Sequence, residues 1–532
     1  MKRLHPSCRR WGLRDVEIQI EALAKILGVA IGLGGEIAGI NPDHRNISAS
    51  IHPAQQVEQH RGLDSEARGQ GKTRPKLLMS PQQPCTRIQR LKLLTGLLKV
   101  SRISLGASGN DRLILGGRDI PHLSIFQRRG ARCHVYGFKT TFEALTSDTT
   151  MHNDPIIVVG GGFAGLTTAL ALSNQRPRPQ LLLIEPRQQF LFLPLLYELL
   201  SGEMKSWEVA PSYDSLLQGR RIPHLDDRVI SINTAQKSLQ TSRGQVLNYS
   251  QLVLATGSEP DDFGITGVKE HALTFHSLAD ISPLKERVHS LRNRASKDGA
   301  LVIVGAGATG VELACKLSDM LEGSAAIHLV ELGDSVLSRS RAFNREQAQK
   351  ALDKKGVHRH LNTRVTSVSA NAVQLLENDL PQTLHHDGLI WTAGTKPVLP
   401  TLIPNPTRER GLLSVDDGLQ LTTDPNVVVL GDVACHTDAD APWPRSAQSA
   451  LQQGTAAART LQAIRMGQAV PSFHFQDLGE MLSLGRGDAS ITGMGLTLAG
   501  PLAYRMRRLT YLARMPGLSL GLRSAGAWLV HS

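Results

Sequence analysis

The stretch PIIVVGGGFAGLTTALALSN, residues 155–174, decides the fold. A β-branched apolar run ends in glycines, and a helix-forming run of Ala, Leu and Thr follows at once. The pattern GxGxxG falls on Gly160, Gly162 and Gly165. In such a turn the first glycine ends the strand and the second lets backbone approach a pyrophosphate. The third packs helix against strand. The helix start then offers free N–H groups and partial positive charge to the phosphates. QLLLIEP (180–186) supplies the next buried strand and ends in Glu185, 20 residues after Gly165, where a carboxylate can accept hydrogen bonds from a ribose. A glycine turn alone is weak evidence, but strand, helix and acid in this order make a nucleotide site.

The same grammar restarts at ALVIVGAGATGVELACKLSDML (300–321), with Gly305, Gly307 and Gly310 in the same places and Glu331 21 residues after Gly310. An acid there favours the free 2′-hydroxyl of NADH, while Arg339 and Arg341 nearby leave NADPH open. Two βαβ copies imply an α/β protein with two dinucleotide-binding, Rossmann-like domains. Glu312 lies just beyond Gly310. It reads either as a helix-dipole partner in the first turn or as a carboxylate beside the nicotinamide. Two strand–Thr-Gly elements, LVLATGSEP (252–260) and GLIWTAGTKP (388–397), return the chain to the cofactor sites, where Gly257 and Gly394 permit close backbone approach. VVVLGDVACH (427–436) ends a buried strand at Gly431-Asp432. A carboxylate there suits the ribityl polyol of FAD, which NAD lacks, and is also compatible with a helix N-cap.

Composition narrows the function. Of 532 residues 41% are hydrophobic and 20% charged, enough for a large core. The net charge of +12 is unevenly spread: residues 1–150 hold 23 Lys+Arg against 12 Asp+Glu, and the remainder is nearly neutral. The body of the molecule therefore gives no charge argument for binding nucleic acid. Residues 1–150 show no sustained helical or strand period. They read as upstream sequence joined to a protein that begins at Met151, as a targeting segment, or as a basic binding module. The five cysteines, Cys8, Cys85, Cys133, Cys315 and Cys435, show neither CxxC nor CxxxxC spacing. A disulfide framework, a zinc ribbon and a redox dithiol are all disfavoured, and no metal site is expected. No apolar run is long enough to span a bilayer.

The order GxGxxG…ATG…GxGxxG…TAG…GD resembles the flavoproteins with two dinucleotide-binding domains. FLFLPLLYELLSGE (190–203), GATGVELA (307–314) and AQSALQQG (447–454) are similar to type II NADH dehydrogenases, nearest the cyanobacterial and plastid branch. That branch reduces prenylated quinones, demethylphylloquinone among them. The resemblance covers about 151–500. It implies an NAD(P)H domain (269–396) inserted in a discontinuous FAD domain (151–268 and 397–458), with a C-terminal amphipathic, membrane-associating segment (459–532). It places FAD against Gly160, Gly162, Phe163, Ala164, Gly165, Glu185 and Asp432, with Ala447 and Gln448 beside the isoalloxazine. It also places Gln448 and Gln452 at the quinone and Glu312 at the nicotinamide. Without the resemblance, glutamines four apart simply line a helix face.

The expected activity is electron transfer from NADH or NADPH through FAD to a prenyl quinone, on the cytoplasmic face of a thylakoid or plasma membrane. Two alternatives stay open: a reductase of a soluble or ferredoxin-like acceptor, and a redox sensor whose basic extension binds nucleic acid. The last 44 residues carry five arginines and no acid. On a helix through 502–513, Leu502, Met506, Leu509 and Ala513 form an apolar stripe with Tyr504 and Tyr511 roughly opposite. That pattern suits an in-plane interfacial helix, or else a helix docked on the protein's own body or a homodimer contact.

Overall fold

The computed structural model describes residues 104–108, 112–117, 120–125, 154–436 and 442–516. Within the extension, Ser104–Ser108, Arg112–Gly117 and Ile120–Ile125 form a three-stranded antiparallel meander, where periodicity had indicated no element. The rest of 1–150 lies outside the described residues.

The main body runs β1 (Ile156–Val159), α1 (Phe163–Ser173), β2 (Leu181–Ile184), α2 (Leu196–Leu200) and β3 (Gln251–Leu254). The second module runs β4 (Gly299–Val304), α3 (Ala308–Leu321), β5 (Ala325–Val330), α4 (Ala342–Lys354) and β6 (Gly388–Trp391). The chain then returns through β7 (Asp424–Val429) and α5 (Ala447–Met466). Last come β8 (Glu480–Ser483), β9 (Ala489–Gly493), β10 (Leu496–Ala499) and α6 (Pro501–Arg514).

In the first sheet β7, β3, β1 and β2 lie side by side and parallel. In the second, β6, β4 and β5 repeat that arrangement, with parallel edge strands at Ala272–Thr274 and His358–His360. The four residues of β1 and the four of β2 are all buried, as expected of strands covered on both faces. The second sheet is inserted between β3 and β7, and the chain enters and leaves it through a paired ribbon. Ser258–Pro260 lies antiparallel to Thr395–Pro397, with Glu259 opposite Lys396.

Helix α5 packs on α1. Gly454 makes the approach possible: a Cβ there would come 2.5 Å from the Ala164 carbonyl oxygen. Thr168 Oγ1 donates to the Gly454 carbonyl at 3.2 Å across the same contact. The glycine that ends AQSALQQG is therefore a packing residue. Helix α5 continues through the expected boundary at 458 and ends at Gly467 in the left-handed region.

The C-terminal segment differs from expectation. It is not helical throughout, because the antiparallel meander β8–β9–β10 precedes α6. Helix α6 keeps most of its apolar stripe on the outside. Tyr504, Arg507, Thr510 and Tyr511 are buried with Ala503 and Met506, while Leu502 and Leu509 are 40% and 48% exposed. Of the anticipated stripe only Met506 faces inward; Leu502, Leu509 and Ala513 face out. Among the described residues no helix is long and apolar enough to cross a membrane.

Candidate active site

The two glycine turns are built alike, and backbone geometry dictates which glycine does what. Gly160 and Gly305 have φ of +97° and +101°, and an added Cβ would lie 2.3 Å from Ala255 O and 2.7 Å from Ala393 Cα. A side chain is excluded at both. Gly165 and Gly310 press on the carbonyls of Gly160 and Gly305, at 1.9 and 1.8 Å from a built Cβ. Gly162 and Gly307 have nothing within 4 Å of such a Cβ. They leave open the space that a pyrophosphate needs at the N-termini of α1 and α3. This open cradle fits a dinucleotide in each module.

The acids that follow each turn also correspond. Glu185 Oε2 accepts from Gly161 N at 2.7 Å, and Glu331 Oε2 accepts from Ala306 N at 2.7 Å. Each acid thus ties the middle of its glycine turn to the end of the next strand. Glu331 also accepts from Gly333 N at 2.9 Å. Glu185 carries more: Arg187 bonds it through Nε at 2.7 Å and Nη2 at 2.9 Å. Burial would raise the Glu185 carboxyl, but the Arg187 guanidinium and the Gly161 N–H outweigh it and hold it below its ordinary value. Sequence reasoning passed over Arg187, although its place two residues after the acid was a usable signal. Arg341, considered for a nucleotide phosphate, is instead engaged with Asp477 at 2.6 Å and Glu480.

The return elements converge on the first cradle. Gly257 has φ +71°. Ser258 Oγ donates to Asp432 Oδ2 at 2.6 Å, joining the ATGS strand to the GD turn. Gly431 N donates to Gln453 Oε1 at 2.6 Å, which fixes that turn to α5. Phe163 packs edge-on against Phe190 and Phe192, both with centroids at 5.3 Å, and Ala164 is buried beneath. Ala447 opens α5, where Ser446 caps the helix by accepting from Ser449 N. Gln452 is fully used: its Nε2 donates to Gln476 O at 2.8 Å and its Oε1 accepts from Gln476 N at 2.9 Å. Gln448 shares the Gln476 carbonyl at 3.2 Å. The pair therefore holds the chain leading to β8, a link that no sequence signal announced. Gly394 follows β6 and lies beneath the Phe263 ring, whose Cζ would be 2.8 Å from a Cβ added there.

Glu312 is not in the first turn of α3, which holds no acid, but one turn further on. It is 7% exposed. Ser483 N donates to its Oε1 at 2.6 Å, and Arg507 Nη2 lies 3.7 Å away. Arg507, at 0% exposure, bonds Glu198 Oε1 and donates to Pro194 O at 2.8 Å; its guanidinium lies 4.8 Å from the Tyr511 ring centroid. Burial pushes Glu312 up to about 7 against the pull of Arg507 and the Ser483 N–H, and it drives the neighbouring Tyr197 hydroxyl upward as well. Two carboxylates and one guanidinium thus share a buried junction of α2, α3, β8 and α6. Cys315 and Cys435 are free and buried, and burial pushes the Cys315 thiol up to about 12.

Two nucleotide cradles at the carboxyl ends of two joined parallel sheets define a pyridine-nucleotide flavin oxidoreductase. Residues 154–454 match the pyridine nucleotide-disulphide oxidoreductase family. A demethylphylloquinone reductase from Synechocystis sp. is 36% identical over 394 residues, 70% of this chain and 97% of that one. The alternative NAD(P)H-ubiquinone oxidoreductase C1 of Arabidopsis thaliana is 33% identical and covers 71% of this chain and 80% of its own length. Among solved structures, NDH2 from Plasmodium falciparum in complex with NADH shares the fold at a TM-score of 0.62 and 16% identity, over 70% of this chain and 96% of that one. The chain belongs to the type II NADH dehydrogenases, and it is an FAD-dependent NAD(P)H:quinone oxidoreductase.

Proposed function

We propose that this enzyme reduces a membrane prenyl quinone of the demethylnaphthoquinone class, the precursor type methylated in phylloquinone synthesis, with plastoquinone as the second substrate to compare. FAD, when bound, supplies acceptance of a hydride from the nicotinamide and delivery of two electrons to a quinone. The chain's own residues bind and orient. Gly160, Gly162, Gly165, Glu185 and Asp432 hold the flavin nucleotide, and Gly305, Gly307, Gly310 and Glu331 hold NAD(P)H. Gln448, through Gln476, sets the wall by which the quinone enters. Glu312, held by the Ser483 N–H and beside Arg507, is the carboxylate that would face the nicotinamide.

One observation carries the membrane part of this reading. Helix α6 buries its tyrosines and Arg507 in the body while Leu502 and Leu509 stay outside beside the exposed Arg505. An apolar ridge with a basic flank suits the surface of an anionic bilayer. We read the enzyme as peripheral on that surface, with no role for nucleic acid; a homodimer would have to leave this ridge free. The similarity to the Synechocystis reductase supports the naphthoquinone class.

The test pairs NADH and NADPH with demethylnaphthoquinone, plastoquinone and ubiquinone analogues on the full chain reconstituted with anionic vesicles. Preferential turnover of the demethylnaphthoquinone is expected. A flavin that NADH reduces but none of these quinones reoxidises would overturn the assignment and leave a soluble acceptor.

A further inference from the structure

Phe263 is the one aromatic among the large apolar residues left exposed in the described structure, at 60%. Its backbone has φ +51°, a region that disfavours any residue with a Cβ and a bulky ring above all. The conformation is imposed from several sides. Asp261 N donates to Gly394 O at 3.0 Å, and Trp391 Nε1 donates to Asp261 O at 2.7 Å. Phe263 N donates to Asp261 Oδ1 and Gly264 N to Asp262 Oδ1, both at 3.1 Å. Lys269 pairs with Asp262 at 3.1 Å. The outcome is a ring held in solvent directly over Gly394. Strain kept in place by surrounding bonds at a ligand edge points to function.

The sheet order says which part of the ligand lies there. In the second sheet β4 stands between β6 and β5, so the Gly305–Gly307 turn is central. Glu331 follows β5 on one side and Gly394 follows β6 on the other. With the pyrophosphate over Gly307 and the adenosine ribose at Glu331, the nicotinamide half extends toward β6 and the Phe263 ring.

Resting on the reading of this module as the NAD(P)H site, we infer that Phe263 covers the nicotinamide half of the bound dinucleotide. It stacks on that half and excludes water from it. Truncation to Ala removes the ring. Truncation to Gly also removes the left-handed strain, so a loss of binding in Phe263→Gly cannot be blamed on a damaged loop.

The experiment measures NAD+ and ADP-ribose binding by calorimetry on the flavin-loaded full chain, together with the KM for NADH. Phe263→Ala and Phe263→Gly are expected to weaken NAD+ and raise the NADH KM roughly five- to tenfold. ADP-ribose, which lacks the nicotinamide, should bind unchanged, and Phe263→Trp, which keeps an aromatic ring, should retain the wild-type values. Unchanged NAD+ binding, or equal weakening of NAD+ and ADP-ribose, would overturn the inference. If the wild-type chain bound neither ligand, the reading of the module itself would fall, and the inference with it.

Discussion

Arg507 and Glu198 are bonded to each other with neither side chain exposed to any degree. They lie 309 residues apart and pin α6 to α2. A buried pair of this kind adds little against an apolar replacement of both partners, but losing one partner strands a charge. Glu312, which also leans on Arg507, can escape the loss by keeping its proton, so the stranded charge is that of Glu198. Arg507→Met is expected to cost about 3–5 kcal/mol in urea unfolding. Adding Glu198→Gln should recover most of that loss. A double variant no more stable than the single one would show that Glu198 is not the partner that matters.

Glu312 makes stability depend on pH in a direction opposite to that of most carboxylates. Its folded pKa, about 7, lies above the ordinary 4.5. Between those values the folded protein holds a proton that the unfolded chain has released, so stability falls as pH rises across that window. The cost, complete above about pH 7, is on the order of 3 kcal/mol. Glu312→Gln should therefore gain on wild type as pH is raised from 5 to 8, measured as the difference in Tm across that series. A flat difference would remove the proton from this site. Activity should lose its inflection near neutral pH in the same variant.

How far these features could be read in the sequence follows from how local they are. The glycine turns and the acids Glu185 and Glu331 are fixed by spacing within one βαβ unit each, and strand, turn, helix and acid follow in that order in the structure. The junction around Arg507 could not be found that way. In a run of arginines at helical spacing each one looks solvated, and only a carboxylate 309 residues upstream distinguishes Arg507. Hydropathy picks out the stripe through Leu502 and Leu509, which is exposed, but gives no hint that the opposite, buried face carries a charge. The buried face is polar because its Arg507 and Tyr504 meet Glu198, Glu312 and Glu203. Gln448 and Gln452 lie four apart on α5, and their Gln476 partner belongs to a segment without a motif.

The glycines separate binding from folding. Gly307→Ala meets no atom within 4 Å, so the fold should tolerate it while the methyl enters the pyrophosphate cradle. The KM for NADH is expected to rise by at least roughly tenfold, about 1.4 kcal/mol, with flavin content and Tm unchanged. Gly162→Ala should do the same to FAD retention. Gly310→Ala would place its Cβ 1.8 Å from Gly305 O and should instead lower the yield of folded protein. Normal NADH kinetics in Gly307→Ala would show that the second cradle does not hold the pyrophosphate.

The outer ridge of α6 offers the corresponding separation for the membrane. Leu502 and Leu509 are 40% and 48% exposed, so charges there leave the core untouched. Leu502→Glu with Leu509→Glu should change unfolding stability by less than about 1 kcal/mol. If the ridge inserts into the headgroup region, each leucine contributes up to about 1.5–3 kcal/mol of apolar burial. The double variant should then lose at least tenfold in co-sedimentation with anionic vesicles, by roughly that conversion. Turnover of a long-chain quinone in vesicles should fall in parallel, whereas turnover of a short-chain quinone in solution should not. Tyr504→Ala is the counterpart on the inner face. It removes the hydroxyl bonded to Glu203 and should destabilise the fold before it affects vesicle binding. Undiminished vesicle binding by the leucine double variant would send the search for the membrane face elsewhere on the molecule.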